Sequence, residues 1–260
     1  MKVQVLVATM NQKDHTLLEK MNIQSDVIVG NQCDYNLVEE FEYCGHNAVY
    51  LNFAERGVGL NRNNSLMRAR EDIVLFADDD VVYLNGYVDK ILEKYQKHPT
   101  ADVIIFNFLV SRNGGTVHEG VSKEKFLGKK GVSSFGTYSV SAKLDILRKN
   151  NIVFHQMFGG GAKYSHGEDS IFLKECVSKG LKVYACKDVI GSVHHNVSTW
   201  SRGLNDQYFM DSGALFACMY PKLSRGIAIY HALKHRRRYK EYGVIKSIKM
   251  MFSGIRGFNG

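Results

Sequence analysis

The sequence predicts an α/β protein, a single mostly parallel sheet flanked by helices, extended by a basic amphipathic helical tail. Three observations predict it. Apolar runs of strand length alternate with helical patterns through residues 1–221. One of those runs, Ile73-Val74-Leu75-Phe76-Ala77, delivers the consecutive carboxylates Asp78, Asp79 and Asp80. The excess of Lys and Arg is confined to residues 222–260.

Each element has its own signal. Val3–Ala8 alternates and then turns fully apolar, as a strand entering a core does. Leu17–Met21 has the pattern of a short helix. Asp26-Val27-Ile28-Val29-Gly30 reads as a second strand, closed by the turn-forming Asn31-Gln32-Cys33-Asp34. Ala48–Leu51 reads as a third. Gly57–Gly59 reads as a flexible loop, and Asn64–Arg70 as a helix with Asn or Ser at its cap. Ile73–Ala77 is the strand before the aspartates, Asn85–Tyr95 a helix stopped by Pro99, and Val103–Val110 a further strand. From 112 to 168 the periodicity fades and glycine is frequent, with Gly159-Gly160-Gly161 marking a hinge or a close approach. Asp169–Lys179 is a helix closed by Gly180, Leu181–Ala185 a strand, and Val189–Val193 an apolar run leading to His194-His195. Phe209–Met219 is a helix ended by Pro221.

Composition narrows the class. The chain of 260 residues, 45% hydrophobic, has enough apolar material for a real core. Its five cysteines are scattered and form no CxxC, which points to a reducing compartment and away from structural zinc. Met1–Val7 runs straight into a strand, so no signal peptide is expected, and no apolar run is long enough to cross a bilayer. Residues 222–260 hold ten Lys/Arg and one acid, Glu241, leaving 24 basic and 25 acidic residues in 1–221. The body is about neutral and the tail carries the net charge of +8. The expected division is an α/β domain over 1–221 and a tail over 222–260.

Ligands of open α/β sheets bind beyond the carboxyl ends of the strands. Carboxylates crowded there repel unless a positive charge sits among them, and magnesium takes one or two carboxylates together with substrate phosphates. Asp78–Asp80 therefore suggest a metal–diphosphate site. A solvated acidic turn ahead of the next helix is the plainer alternative.

Several segments in a fixed order resemble the family 2 glycosyltransferases of bacterial polysaccharide assembly, which have the GT-A fold. They are Val5–Asn11, the strand Val27–Gly30 with its Asn31–Asp34 turn, Arg56–Asn63, Phe76–Asp80 and Gly167-Glu168-Asp169, so the resemblance spans about 1–221. It implies a Rossmann-like sheet and a DxD-type motif at Asp78–Asp80. Asp80 is implied as a ligand of Mg2+ or Mn2+, with Asp78 as a ribose or metal contact and Asp79 beside them. Thr9, Asn11, Asn31 and Asp34 would line the nucleotide pocket, although Asn31 stands where many relatives have an acid, and Asn and Asp favour such turns in any case. Arg62 looks like an arginine that contacts the nucleotide; its rigid fork suits a phosphate or a base carbonyl, and a helix-end surface arginine is the plain alternative. Asp169 is implied as the general base of an inverting transfer, against the reading that it caps a helix. One of His194 and His195, with His195 preferred, is implied as a further metal ligand. Trp200 and Arg202 could line an acceptor groove.

The resulting expectation is a metal-dependent transferase that moves a sugar from a nucleotide-sugar donor to a hydroxyl of a glycan or lipid-linked acceptor. In the tail, Ile245, Ile248 and Phe252 form a stripe at helical spacing, with Lys246, Lys249 and Arg256 away from it. That pattern suits an anionic membrane surface or docking on the main domain. The expected location is cytoplasmic, peripheral on the inner face of the cytoplasmic membrane. No nucleic-acid partner is expected, because the body has no nucleic-acid motif. The rivals are a nucleotidyltransferase, whose glycine-rich phosphate loop is missing after the first strand, and a non-catalytic sugar-nucleotide or polysaccharide-binding domain.

Overall fold

Strand β5 (Ile73–Asp78) is the axis of the molecule, and its side chains explain why. Ile73, Val74, Leu75, Phe76 and Ala77 are all fully buried, and they alternate between two cores. Ile73, Leu75 and Ala77 face one apolar cluster, while Val74 and Phe76 face the other. A strand buried on both faces needs helices or loops on both sides of its sheet. In the computed structural model, which describes residues 1–112, 115–128, 131–194 and 203–259, both sides are covered.

The neighbours of β5 share its logic. Strand β1 (Val3–Met10) lies parallel to β5 on one side and to β2 (Asp26–Gln32) on the other. Next comes β4 (His46–Phe53), parallel to β2, and then β3 (Leu37–Tyr43), antiparallel to β4 at the edge. On the far side of β5 stand β10 (Val140–Lys143), antiparallel to both its neighbours, and β7 (Val103–Arg112). Strand β11 (Val183–His194) follows, parallel to β7, and β6 (Val81–Tyr83) closes the row. The short strands β8 (Gly115–Glu119) and β9 (Lys125–Leu127) hang from β7 and β11. The sheet is thus mixed, with parallel pairing running from β4 to β5 and again between β7 and β11. In that register Ala8 pairs with Asp78 and Thr9 with Asn31, so β1, β2 and β5 end on one line.

The helices are α1 (Leu17–Lys20), α2 (Val58–Arg68), α3 (Tyr87–Lys97), α4 (Leu144–Lys149) and α5 (Glu168–Ser178). Helix α2 begins at Val58 rather than at Asn64, so Gly57–Gly59 is not a flexible loop. Gly57, at φ 122, starts the helix. A Cβ on Gly59 would sit 2.8 Å from the His155 carbonyl oxygen, so glycine is there for packing rather than for mobility.

Helices α6 (Asp206–Met219), α7 (Ser224–Lys234) and α8 (Val244–Asn259) form a layer of their own around Phe209, Ala228, Ala232, Tyr239, Met251 and Ile255. Helix α8 is docked on α6, but not by the expected stripe. Ser247, Met251, Gly254 and Ile255 are its buried residues, Ile248 and Phe252 pack half-buried at the margin, and Ile245 is exposed. The reason is backbone proximity. A Cβ on Gly213 would lie 1.9 Å from the Met251 carbonyl oxygen, and one on Gly254 1.8 Å from that of Met210. The end of α8 reaches the sheet domain, where the Phe258 ring lies 5.9 Å from Phe158 and 5.8 Å from Tyr164.

Candidate active site

Arg62 organises the cleft at the ends of β1, β2 and β5. It projects from α2 with only 3% of its side chain exposed. Its guanidinium donates to Asp78 Oδ1 at 2.6 Å and to Asp169 Oδ1 at 2.9 Å, and Glu168 Oε1 lies 3.6 Å away. The guanidinium carbon stands 5.3 Å from the Phe154 ring centroid, while Nε is buried without a hydrogen-bond partner among the described residues. Burial alone works against the charge, but Asp78, Asp169 and Glu168 outweigh it and hold Arg62 firmly protonated. The residue expected at the nucleotide is therefore an internal counter-ion between two parts of the site.

Three acids around one arginine leave excess negative charge. Burial, reinforced by Asp169, pushes Glu168 up to about 7, with Arg62 pulling the other way. Burial also raises Asp78 above the usual carboxylate range, opposed by Arg62 and reinforced by Asp169 and Asp79. Such a pocket favours a further cation or a retained proton.

Asp169 opens the second turn-over point of the site. Gly167, in the left-handed region at φ 113, precedes α5, and Glu168 and Asp169 are the first residues of that helix. A Cβ on Gly167 would meet Leu215 at 2.6 Å, so glycine is required by packing as well as by backbone. The N-cap position is Gly167, which has no side chain to cap the helix, so Asp169 is not the N-cap residue. Instead Thr137 donates to Asp169 Oδ1, as Arg62 does. Among the described residues the hydrogen bonds to Asp169 end on Oδ1, and its side chain is 30% exposed.

The remaining expected residues fall in two groups. Thr9 lies beside Asp79 and donates to its carboxylate, while Gln12 Nε2 donates to Thr9 at 2.8 Å. Asn11 is exposed at the tip of the loop after β1 with φ 57, a conformation asparagine tolerates. Asp34 is exposed on the turn after β2. Asn31 is fully buried and its amide is occupied: it accepts from the Gln12 backbone at 3.0 Å and donates to Gln12 oxygen and to Asn52. It holds the loop that carries Asn11 and Gln12. Asp80 follows Asp79 in the turn to β6, part-exposed. The backbone of His194 ends β11 one residue beyond the Val193–Val81 pair, at the Asp80 end of β6. His195, Trp200 and Arg202 lie outside the described residues.

The donor chemistry of the aspartate turn fits a hard divalent cation, since all its ligands are carboxylate oxygens. Its oxygens do not form a closed cage, because Asp78 turns to Arg62 and Asp79 to Thr9. One or two carboxylates plus diphosphate oxygens is the set that remains. Among the described residues, a tighter group of acidic and thiol ligand atoms is Glu124, Cys186 and Asp188. There the Lys94 ammonium already lies 3.4 Å from Glu124 and 3.2 Å from Asp188, and burial pushes the Cys186 thiol up to about 12. That cluster is a pair of part-exposed acids held by one buried lysine.

Sequence reasoning passed over Thr137, Glu168 and Asp211. Asp211 is 1% exposed on α6 and accepts from the Ser165 backbone at 2.9 Å and its hydroxyl at 2.6 Å, so it anchors the approach to Gly167. Its signal was a single carboxylate inside the apolar helix pattern of Phe209–Met219. Thr137 lay in the glycine-rich stretch where no period could be read. The Gly159 element packs inward: a Cβ there would meet Val58 at 2.5 Å and Glu168 at 2.7 Å.

The sequence model described as Glycosyl transferase family 2 matches residues 16–152. No curated protein sequence matches the chain. Among solved structures, Staphylococcus aureus TarS has a TM-score of 0.64 at 14% identity, over 97% of this chain and 55% of that one. The chain thus spans about half of that longer protein. The TarS fragment 1–349 in complex with UDP-GlcNAc has a TM-score of 0.63 at 13% identity, over 100% of this chain and 92% of the fragment. The same fragment in complex with UDP gives 0.62 at 13% identity, over 100% and 91%. At these identities the likeness is one of fold.

Proposed function

The chain belongs to glycosyl transferase family 2, and from that premise we propose an inverting transfer of a sugar from a nucleotide-sugar donor to a hydroxyl of a glycan or lipid-linked acceptor. The observation that carries the reading is Arg62: it draws Asp78, at the end of β5, and Asp169, at the start of α5, to one guanidinium. Residues far apart in sequence thereby share one cleft, as donor binding and proton abstraction require. The complexes of TarS with UDP-GlcNAc and UDP support a uridine nucleotide as the donor class to test first.

In this reading Thr9, Asn11 and Asp34 meet the base and ribose, and Asn31 keeps their loop in place. Asp80 and Asp78 would hold Mg2+ or Mn2+, which would supply charge neutralisation of the departing diphosphate, with Asp79 a further contact to the nucleotide sugar. His195 stands as a further ligand. Asp169 takes the acceptor proton on Oδ2. Arg62 and Thr137 fix its rotamer through Oδ1, so the carboxylate is oriented before the acceptor arrives. Glu168, holding its proton near neutral pH, limits the negative charge around the incoming diphosphate. The basic tail, residues 222–260, places this chemistry at an anionic membrane surface on the cytoplasmic side, where a lipid-linked acceptor of capsule or exopolysaccharide type would be presented. No described helix is long and apolar enough to cross a membrane.

Asp169→Asn tests the mechanism. The expected result is a loss of turnover of roughly a hundredfold or more with the donor dissociation constant, measured by calorimetry, within about threefold of wild type. Turnover that survives intact would reduce Asp169 to a structural residue.

A further inference from the structure

We infer that the outward face of α7, rather than the stripe of α8, is the surface that lies on an anionic bilayer. Gly226, Ile229, Tyr230 and Leu233 recur at the i, i+3, i+4, i+7 spacing that makes one helical face. The opposite face carries Ser224, Ala228 and Ala232, all buried against the rest of the helical layer. The outward face is apolar without being covered: Leu223 is 66% exposed, Tyr230 64% and Leu233 52%. So much large apolar surface on one short helix marks a contact surface.

Charge identifies the occupant. Arg225 and Lys234 flank the stripe on its two sides, and Arg236, Arg237 and Arg238 follow directly in the next turn, all exposed. The only acid in the tail is Glu241. At the amino end of α7, a groove of about 650 Å³ opens beside Leu223, lined by Lys222, Arg225 and Arg256. Basic side chains around an apolar, aromatic-bearing face complement phosphate head groups over acyl chains. Helix α8 cannot offer the same face, because its glycine side is closed against α6 and Ile248 and Phe252 are half-buried there. The inference deepens the membrane reading of the tail and is independent of the transfer chemistry.

Co-sedimentation of the full chain with phosphatidylcholine vesicles, with and without phosphatidylglycerol, tests it. Wild type should bind only the vesicles containing phosphatidylglycerol. Tyr230→Glu combined with Leu233→Glu should weaken that binding by roughly tenfold or more, at an unchanged melting temperature, because both side chains are exposed. Ile245→Glu on α8 should leave binding within about twofold of wild type. Binding lost through Ile245→Glu and kept by the α7 pair would overturn the assignment while preserving a membrane role for the tail. Equal binding to both vesicle types, or none, would remove the membrane role itself. If the α7 pair instead converts a dimer to a monomer in light scattering with vesicle binding unaltered, the face belongs to a second copy and the inference fails. None of these outcomes depends on Asp169, so the transfer mechanism stands or falls separately.

Discussion

Arg62 shows how much of the site turns on one side chain. A buried cation among Asp78, Asp169 and Glu168 is stable only because Asp78 and Asp169 accept its hydrogen bonds and all three acids supply charge, and the acids tolerate one another only through it. The surplus negative charge appears in Glu168, pushed up to about 7 by burial and by Asp169. Its folded value lies above the ordinary unfolded one. The folded state therefore holds a proton that the unfolded chain has released, and stability falls as pH rises from about 4.5 through 7. Glu168→Gln removes that loss. It should flatten the melting temperature over this window and make the variant more stable than wild type at pH 8, by on the order of 1–2 kcal/mol. A variant whose melting curve tracks wild type across the window would show that Glu168 is ionised throughout. The residue types of this cluster were legible in the sequence. Asp78 followed an unmistakable buried strand, and Asp169 stood in a recognisable Gly-Glu-Asp segment. The role of Arg62 was not, because a guanidinium suits a phosphate as well as a carboxylate and only the fold decides which it meets. Thr137 was invisible, since nothing local distinguishes a hydroxyl that reaches across the cleft.

Among the elements, the strands that bury both faces were the easiest to read and the edge strand the hardest. In β1, β2 and β5 apolar runs leave no other interpretation. In β3, the sequence Leu37-Val38-Glu39-Glu40-Phe41-Glu42-Tyr43 keeps Leu37, Val38, Glu40 and Glu42 out in solvent, so no face looked apolar enough. Its turn is Cys44-Gly45, with φ 50 and 79, and cysteine is not a residue from which a positive-φ hairpin turn would be inferred. Glycine was the other blind spot at 57–59, read as a flexible loop where it permits close contact, whereas the close approach read as one option at 159–161 is what Gly159 shows. The same property gives the α6–α8 pair a sharp prediction. Gly213→Ala and Gly254→Ala each place a methyl group inside a carbonyl oxygen's contact distance, 1.9 and 1.8 Å, against backbone that cannot rotate away. Each should destabilise by roughly 3 kcal/mol or more, as overpacking does when no side chain can yield. Gly226→Ala in α7, where an added Cβ meets nothing within 4 Å, should be neutral or stabilise by up to about 1 kcal/mol through helix propensity. Chemical denaturation of the three variants separates the cases. Similar midpoints would mean that α6 and α8 are held apart in solution.

The molecule as a whole joins a neutral sheet domain to a cationic helical layer, and the charge count alone divides the two at residue 222. The packing argues otherwise. Phe209 and Ala217 of α6 lie buried with Met251 and Ile255 of α8 and with Ala228 and Ala232 of α7, so α6 has no free face to present once its partners are removed. Phe258 extends the contact to Phe158 and Tyr164, beside the loop that leads to Gly167. Asp211, on the same α6, binds Ser165 of that loop. The tail therefore supports the approach to α5 directly through Phe258, and indirectly through its packing on α6, which carries Asp211. Deleting residues 222–260 should not yield a well-behaved soluble enzyme that has merely lost its affinity for vesicles. It should expose the α6 face, lower the melting temperature by several degrees and send much of the protein into inclusion bodies, because contiguous apolar surface of that extent drives aggregation. Surface charge reversal at Arg236, Arg237 and Arg238 should behave differently, weakening binding to anionic vesicles in a salt-dependent way with the melting temperature unchanged. A deletion variant that stays monomeric, melts like the full chain and retains donor binding would show that α7 and α8 are an appendage, and that the Phe258 contact does not hold the loop ahead of Asp169.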